Sequence, residues 1–263
     1  EDAAGTDPYD SASHPPSGSV QSYALARIWP TLQQPWYFEG LSGVATDQEG
    51  AVYTAEASGH RVRKLSPDGF FLATWGSEGS DPGQFSFPAG VCVDIAGNVY
   101  VADKVNNRVQ KLDTSGELLA VWGSYGSLPG QFSQPEAVAV DVDGNIYVAD
   151  TLNDRIQKLG PDGTFLLTWG SSGRLSGEFS SPSGIAVDSQ GAVWVADTTN
   201  SRLQVFESNG AFREIWGEDG DEPGQFNGPR DVTVNEWGDV YVADTGNNRV
   251  QKISGEDRQV KWM

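Results

Sequence analysis

Five carboxylate–guanidinium pairs recur along the 263-residue chain, with the same spacing each time. They are Asp103 with Arg108, Asp150 with Arg155, Asp197 with Arg202, Asp244 with Arg249, and a variant, Glu56 with Arg61. Residues so spaced can flank a short loop and form bidentate, charge-assisted bonds. The intervening Asn106, Asn153, Asn200 and Asn247 can bond the loop's own backbone or take a left-handed conformation. Found once, this set would read as a ligand site. Repeated almost unchanged, it reads as one structural clamp per unit. A second acidic stretch, Asp141-Val142-Asp143-Gly144-Asn145, is similar to the start of a calcium loop but lacks the downstream Glu. A hairpin turn is the simpler reading. No metal ligand and no cofactor are therefore assigned, with calcium as the alternative. Histidine chemistry has only His14 and His60 to draw on. A histidine zinc site would need three, and a Ser-His-Asp triad would need His60 in a cleft. His60 instead aligns with the loop positions of Asn107, Asp154, Ser201 and Asn248. The single cysteine, Cys92, falls in an apolar run and reads as a small core residue. No catalytic residue is assigned.

The elements that must position these groups repeat with a fixed period. Pro88, Pro135, Pro182 and Pro229 stand 47 residues apart, and so do Trp75, Trp122, Trp169 and Trp216. A period in the forties marks a repeat architecture. The third unit holds four short apolar runs, 138–141, 146–150, 155–159 and 164–169, each bounded by Gly, Asp, Asn or Pro. That is the pattern of strands joined by tight turns, and no segment carries a helical period. A four-stranded sheet with two apolar faces cannot bury both alone, whereas sheets stacked around an axis bury them against each other. The predicted fold is all-β: a β-propeller with units beginning near residues 41, 88, 135, 182 and 229. Five blades are counted, with a six-bladed ring as the alternative.

In such a ring the first strand of each blade lines the axial channel. The residues after the repeated Pro then ring the channel mouth: Ser42, Ala89, Glu136, Ser183 and Arg230, followed by Gly43, Gly90, Ala137, Gly184 and Asp231. Glu136, Arg230 and Asp231 depart most from the repeat. With Ser42 and Ser183 they form the predicted binding positions of the channel mouth. Three aromatics also break the pattern. Trp36 and Tyr37 stand where other units have Gly and Gln or Glu, and Trp237 replaces a small or polar residue in its hairpin. They form a second candidate surface for a protein or glycan.

The strings VADKVNNRVQKL (101–112), VADTLNDRIQKL (148–159), VADTTNSRLQVF (195–206) and VADTGNNRVQKI (242–253), each preceded by WG…G[QE]F…P, resemble the NHL-repeat family. The resemblance runs from about Trp29 to the C-terminus. It implies a propeller of four-stranded blades, usually six, that binds proteins or RNA, with an enzymatic minority. Peptidyl-hydroxyglycine lyases, which have related motifs, carry zinc-binding histidines just after the repeated Pro. Here those positions hold no histidine, which argues against that chemistry. A lactonase-like, calcium-dependent site would have to rest on Glu136 and Asp231.

Composition narrows the partners. Lys and Arg total 17 against 36 Asp and Glu, a net charge of −19. Nucleic-acid binding rests on clustered basic residues at phosphates, so RNA and DNA are not expected ligands. No apolar run reaches transmembrane length. Residues 1–22 are small, polar and Pro-rich and read as a leader before a propeller spanning 23–263. Glu1 reads as a mature N-terminus left after signal removal, which suggests an extracellular or periplasmic protein. Trp29, Trp75, Trp122, Trp169, Trp216 and Trp262 each close a fourth-type strand, one more than the first-three sets. Either Tyr23–Trp29 or Arg258–Trp262 is expected to complete the fifth blade, leaving the other for a partner chain, or both await a sixth blade. The expected function is a non-enzymatic protein- or glycan-binding or assembly module. The alternatives are a lactonase-like hydrolase and a structural subunit of a larger extracellular assembly.

Overall fold

The computed structural model describes residues 37–262. Five four-stranded antiparallel sheets stand in a ring, a five-bladed β-propeller. Blade 1 comprises β1 (Leu41–Thr46), β2 (Val52–Glu56), β3 (Arg61–Leu65) and β4 (Phe71–Trp75). Blade 2 comprises β5 (Pro88–Val93), β6 (Val99–Asp103), β7 (Arg108–Leu112) and β8 (Leu118–Trp122). Blade 3 comprises β9 (Ala137–Val140), β10 (Ile146–Asp150), β11 (Arg155–Leu159) and β12 (Phe165–Trp169). Blade 4 comprises β13 (Pro182–Val187), β14 (Val193–Asp197), β15 (Arg202–Phe206) and β16 (Phe212–Trp216). Blade 5 comprises β17 (Pro229–Val234), β18 (Val240–Asp244), β19 (Arg249–Ile253) and β20 (Val260–Trp262). Among the described residues helix is confined to three short 3-10 turns, such as Thr151–Asn153.

The last of these strands resolves the choice at the termini. Val260 pairs with Ile253 and Trp262 with Lys252, so the C-terminal strand completes blade 5. The alternative in which Tyr23–Trp29 fills that place is corrected accordingly. Tyr23–Trp29, the leader, His14 and Trp36 lie outside the described residues.

Packing follows from the repeat. Tyr53, Ala55 and Val62 of blade 1 cluster with Val91, Val99 and Val101 of blade 2, and the same scheme recurs down the ring. The linker phenylalanines Phe85, Phe132, Phe179 and Phe226 are fully buried. Each lies against a glycine after the blade's closing Trp. At Gly76, which has φ +88, an added Cβ would come 2.3 Å from the Phe85 ring. Only glycine combines that backbone with that contact. At about 25 cal/mol/Å² such aromatic burial contributes a few kcal/mol per blade, as an upper bound.

Candidate channel-mouth site

The five first strands surround one axial channel of about 1030 Å³. Its walls are mostly small or apolar, among them Val44, Ala45, Val91, Val138 and Val140. Its polar lining includes Ser42, Lys104, Glu136, Ser183, Arg230 and Asp231. Lys104 was not foreseen. Its Nζ lies 2.5 Å from Glu136 Oε1, and both side chains are only partly exposed. Glu136 therefore pairs with the blade before its own, not with Arg230. One signal was visible: Lys104 breaks the motif, standing where Thr151, Thr198 and Thr245 stand in other blades.

The two serines are occupied. Ser42 Oγ donates to the Pro88 carbonyl at 2.7 Å and to the Ala55 carbonyl at 3.0 Å. Ser183 Oγ donates to the Arg230 carbonyl at 2.8 Å and shares a short bond with the Thr198 hydroxyl. Both hold one blade to the next. Arg230 and Asp231 differ. Among the described residues neither forms an ion pair with another side chain, and both are exposed. Asp231 accepts from the Val232 N–H at 2.9 Å. Although open to the channel, its carboxyl is hemmed by protein, and that desolvation pushes it up to about 6. The channel mouth thus keeps one uncommitted cation and one reluctant anion side by side.

The clamps share one geometry. Asp150 accepts from Arg155 Nε at 2.7 Å, Ser133 N at 2.6 Å, Asn153 Nδ2 at 2.9 Å and Gln157 Nε2 at 3.1 Å. Arg155 also donates to the carbonyls of Ser127, Leu128 and Gln131. The same set surrounds Asp103 with Arg108, Asp197 with Arg202 and Asp244 with Arg249. Each clamp ties the inter-blade linker to a loop of its own blade. Burial works against the charged form of Asp244, but the bonds from Asn227, Asn247, Arg249 and Gln251 outweigh it and hold the carboxyl below its usual range. In blade 1 Glu56 takes the place of Asp, flanked by Arg61 and Arg63.

The calcium-like stretch is a closed turn. Asp141 Oδ1 accepts from the N–H groups of Asp143 and Asn145, and its Oδ2 from Asn145 Nδ2 and the Tyr147 hydroxyl. Among the described residues no three His, Cys, Asp or Glu side chains group to hold a metal ion. Glu136 and Asp231 line the same channel from different blades, and Lys104 pairs with the first of them. His60 accepts from the Phe87 N–H through Nδ1 at 3.3 Å and stacks edge-on against that ring; Phe87 lines the channel, and His60 itself does not. Burial, with Asp94 nearby, pushes the Cys92 thiol up and keeps it protonated. Tyr37 is exposed while its carbonyl accepts from Arg63, and Trp237 is part-exposed at its hairpin. Among the described residues no helix is long and apolar enough to cross a membrane.

Blades of one repeat, closed by Trp and set around a narrow channel, define a repeat-built β-propeller. The chain belongs to the virginiamycin B lyase family, whose model matches residues 31–262. No curated protein matches it. Among solved structures it is similar to a catalytically inactive histidine-to-alanine variant of virginiamycin B lyase from Staphylococcus aureus with quinupristin. That match has 15% identity and a TM-score of 0.61, over 86% of this chain and 70% of that one. It is also similar to a chain of a nidogen/laminin complex, at 19% identity and a TM-score of 0.66, over 84% of this chain and 78% of the other. A gluconolactonase from Xanthomonas campestris gives 16% identity and a TM-score of 0.63, over 85% and 75%. At these identities the likeness is one of fold. The lyase variant loses activity with one histidine. Here no histidine is among the residues that line the channel.

Proposed function

We propose that this chain is a non-enzymatic, NHL-type propeller that binds a protein or glycan partner at its channel mouth, outside the cell or in the periplasm. The observation that carries the reading is the adjacent pair Arg230 and Asp231. In other blades the channel-mouth residues are small, bonded to the next blade or ion-paired. These two are exposed and uncommitted among the described residues. A guanidinium free to fork onto a carboxylate or carbonyl, beside an acceptor and above apolar walls, suits a polar chain end or loop tip. The likeness to a chain from a nidogen/laminin complex agrees with a protein partner.

The test is a random-peptide and glycan library selected on immobilised wild-type protein, then challenged with the Arg230→Ala/Asp231→Gly variant. Enriched ligands should bind the variant at least tenfold more weakly. Ligands that bind both alike would place recognition elsewhere. Turnover of a lactone that depends on calcium and on Asp231 would replace the reading with the hydrolase.

A further inference from the structure

We propose that the face carrying the inter-blade linkers holds a docking arc on blades 2 to 4. Its occupant is a segment of a partner protein, apolar in its middle, basic at one end and acidic at the other. Strands in each blade run antiparallel, so the linkers between blades and the loops between second and third strands emerge on the same face. The repeat makes these loops and linkers equivalent, and their tips are where the blades differ. The positions three and six residues after the closing Trp hold Glu78 and Asp81 over blade 2, then Tyr125 and Leu128 over blade 3. Over blade 4 they hold Ser172 and Leu175, and over blade 5 Asp219 and Glu222. One loop position holds Val105, Leu152, Thr199 and Gly246 in the same order. The residue before the repeated Pro is Phe87, then Gln134, Ser181 and Gly228.

Six of these residues, Phe87, Val105, Tyr125, Leu128, Leu152 and Leu175, are between 46% and 75% exposed. Hydrogen bonds join their segments into one surface. The loop of blade 2 bonds its own linker, from the Val105 N–H to the Ser86 carbonyl, and the next one, where Asn107 Oδ1 accepts from the Gln134 N–H. The loop of blade 3 does the same: the Leu152 N–H donates to the Ser133 carbonyl, and Asp154 Oδ1 accepts from the Ser181 N–H. On blade 4 Arg202 donates to the Leu175 carbonyl. Phe87 and Val105 also line the channel, so the arc runs outward from its mouth. Folding gains nothing from large apolar side chains left in water where equivalent positions hold Ser, Thr, Gly or a carboxylate. Phe87 adds a second cost. Its φ is +51, a conformation bulky residues seldom take, and its equivalent in blade 5 is a glycine.

The charges at the two ends identify the occupant. The arc meets Glu78 and Asp81 at blade 2 and Arg174 at blade 4, all three exposed. Among the described residues none of the three enters an ion pair. A segment lying along the arc thus finds apolar contacts in its middle, two carboxylates at one end and a guanidinium at the other. Complementary charge fixes its direction. A second copy of this chain would bring another net charge of −19 against the first. Val105, Leu128, Leu152 and Leu175 offer a glycan no side-chain hydrogen bond. The inference uses neither Arg230 nor Asp231, which stand on blade 5.

A phage-displayed library of random peptides, selected on the 263-residue protein and counter-selected on Leu128→Ser/Leu152→Ser, tests this. Enriched peptides should hold a run of apolar residues flanked by Lys or Arg. In fluorescence anisotropy they should bind Leu128→Ser/Leu152→Ser about tenfold more weakly than wild type. Glu78→Gln/Asp81→Asn and Arg174→Gln should each weaken binding several-fold, and Arg230→Ala/Asp231→Gly should leave it unchanged. The substituted side chains of the arc are exposed, so urea melts of these variants should match wild type. A selection that enriches nothing overturns the proposal, and so do peptides that bind every variant alike. Binding lost only in Arg230→Ala/Asp231→Gly would overturn it and leave the channel mouth as the contact. Affinity indifferent to the charge variants would remove the occupant named here. Binding to phosphatidylcholine vesicles, or a doubled mass in light scattering, lost in Leu128→Ser/Leu152→Ser, would put a lipid surface or a second copy in its place.

Discussion

Removing the acceptor at the centre of one clamp should be costly, and Asp150→Ala is the cleanest case. Asp150 is fully buried and draws bonds from Ser133, Asn153, Arg155 and Gln157. Truncation leaves Arg155 without its counter-ion and the Ser133 N–H without an acceptor. Breaking a buried ion pair costs about 3–5 kcal/mol, and an unsatisfied donor about 1–3 kcal/mol. Two features reduce the sum. Arg155 keeps three carbonyl acceptors, and its side chain is 13% exposed, so water reaches part of it. We expect a loss of about 3 kcal/mol. At roughly 2–4 °C per kcal/mol for a chain of this size, Tm should fall by roughly 6–12 °C. Thermal and urea melts followed by circular dichroism would measure it. The double variant Asp150→Ala/Arg155→Met should recover part of the loss, because it removes the stranded charge. A fall below about 1 kcal/mol, or no recovery in the double variant, would refute the clamp as an energetic unit.

Other outcomes follow from the same geometry. Asp244, Asp94 and Asp239 are held below the usual carboxylate range, so their bonds stabilise the fold above the ordinary Asp value near 4 and are lost as pH falls through the folded values; acid melts should show stability declining below about pH 4. Asp231 acts in the opposite sense: its folded value is raised, so its contribution is present below pH 4 and lost as pH rises through about 6. Asp231→Asn should therefore raise Tm at pH 7 and leave it unchanged at pH 3.5, and an equal shift at both would contradict the assignment. Gly184→Val should cost about 2–4 kcal/mol in a urea melt, because its side chain would meet the backbone of blade 5, while Asp231→Val, with no blade pressed on it, should cost under about 1 kcal/mol. Single-stranded RNA should show no submicromolar binding in a fluorescence-anisotropy titration at physiological salt, given the charge of −19.

The fold was legible because each blade repeats its own instructions. The second and third strands of blade 3, Ile146–Asp150 and Arg155–Leu159, fall where the apolar runs and turn residues place them. The first strand, Ala137–Val140, begins and ends one residue earlier than the run at 138–141, and the fourth, Phe165–Trp169, begins one residue later than expected. The channel-mouth positions were legible as positions, since the repeated Pro sets their register. Their partners were not. Lys104 reaches Glu136 from the preceding blade, and the serine hydroxyls bond carbonyls 46 and 47 residues away. Spacing within one unit cannot show which side chain of a neighbour will be nearest.

The claim that this propeller binds rather than transforms its ligand is tested most directly by a turnover assay. The protein is incubated with glucono-lactone and with quinupristin, each with added calcium, magnesium or zinc. The expected result is product formation equal to that of a protein-free control under every condition. A protein-dependent rate that falls in Asp231→Asn would contradict it and make the channel mouth an active site.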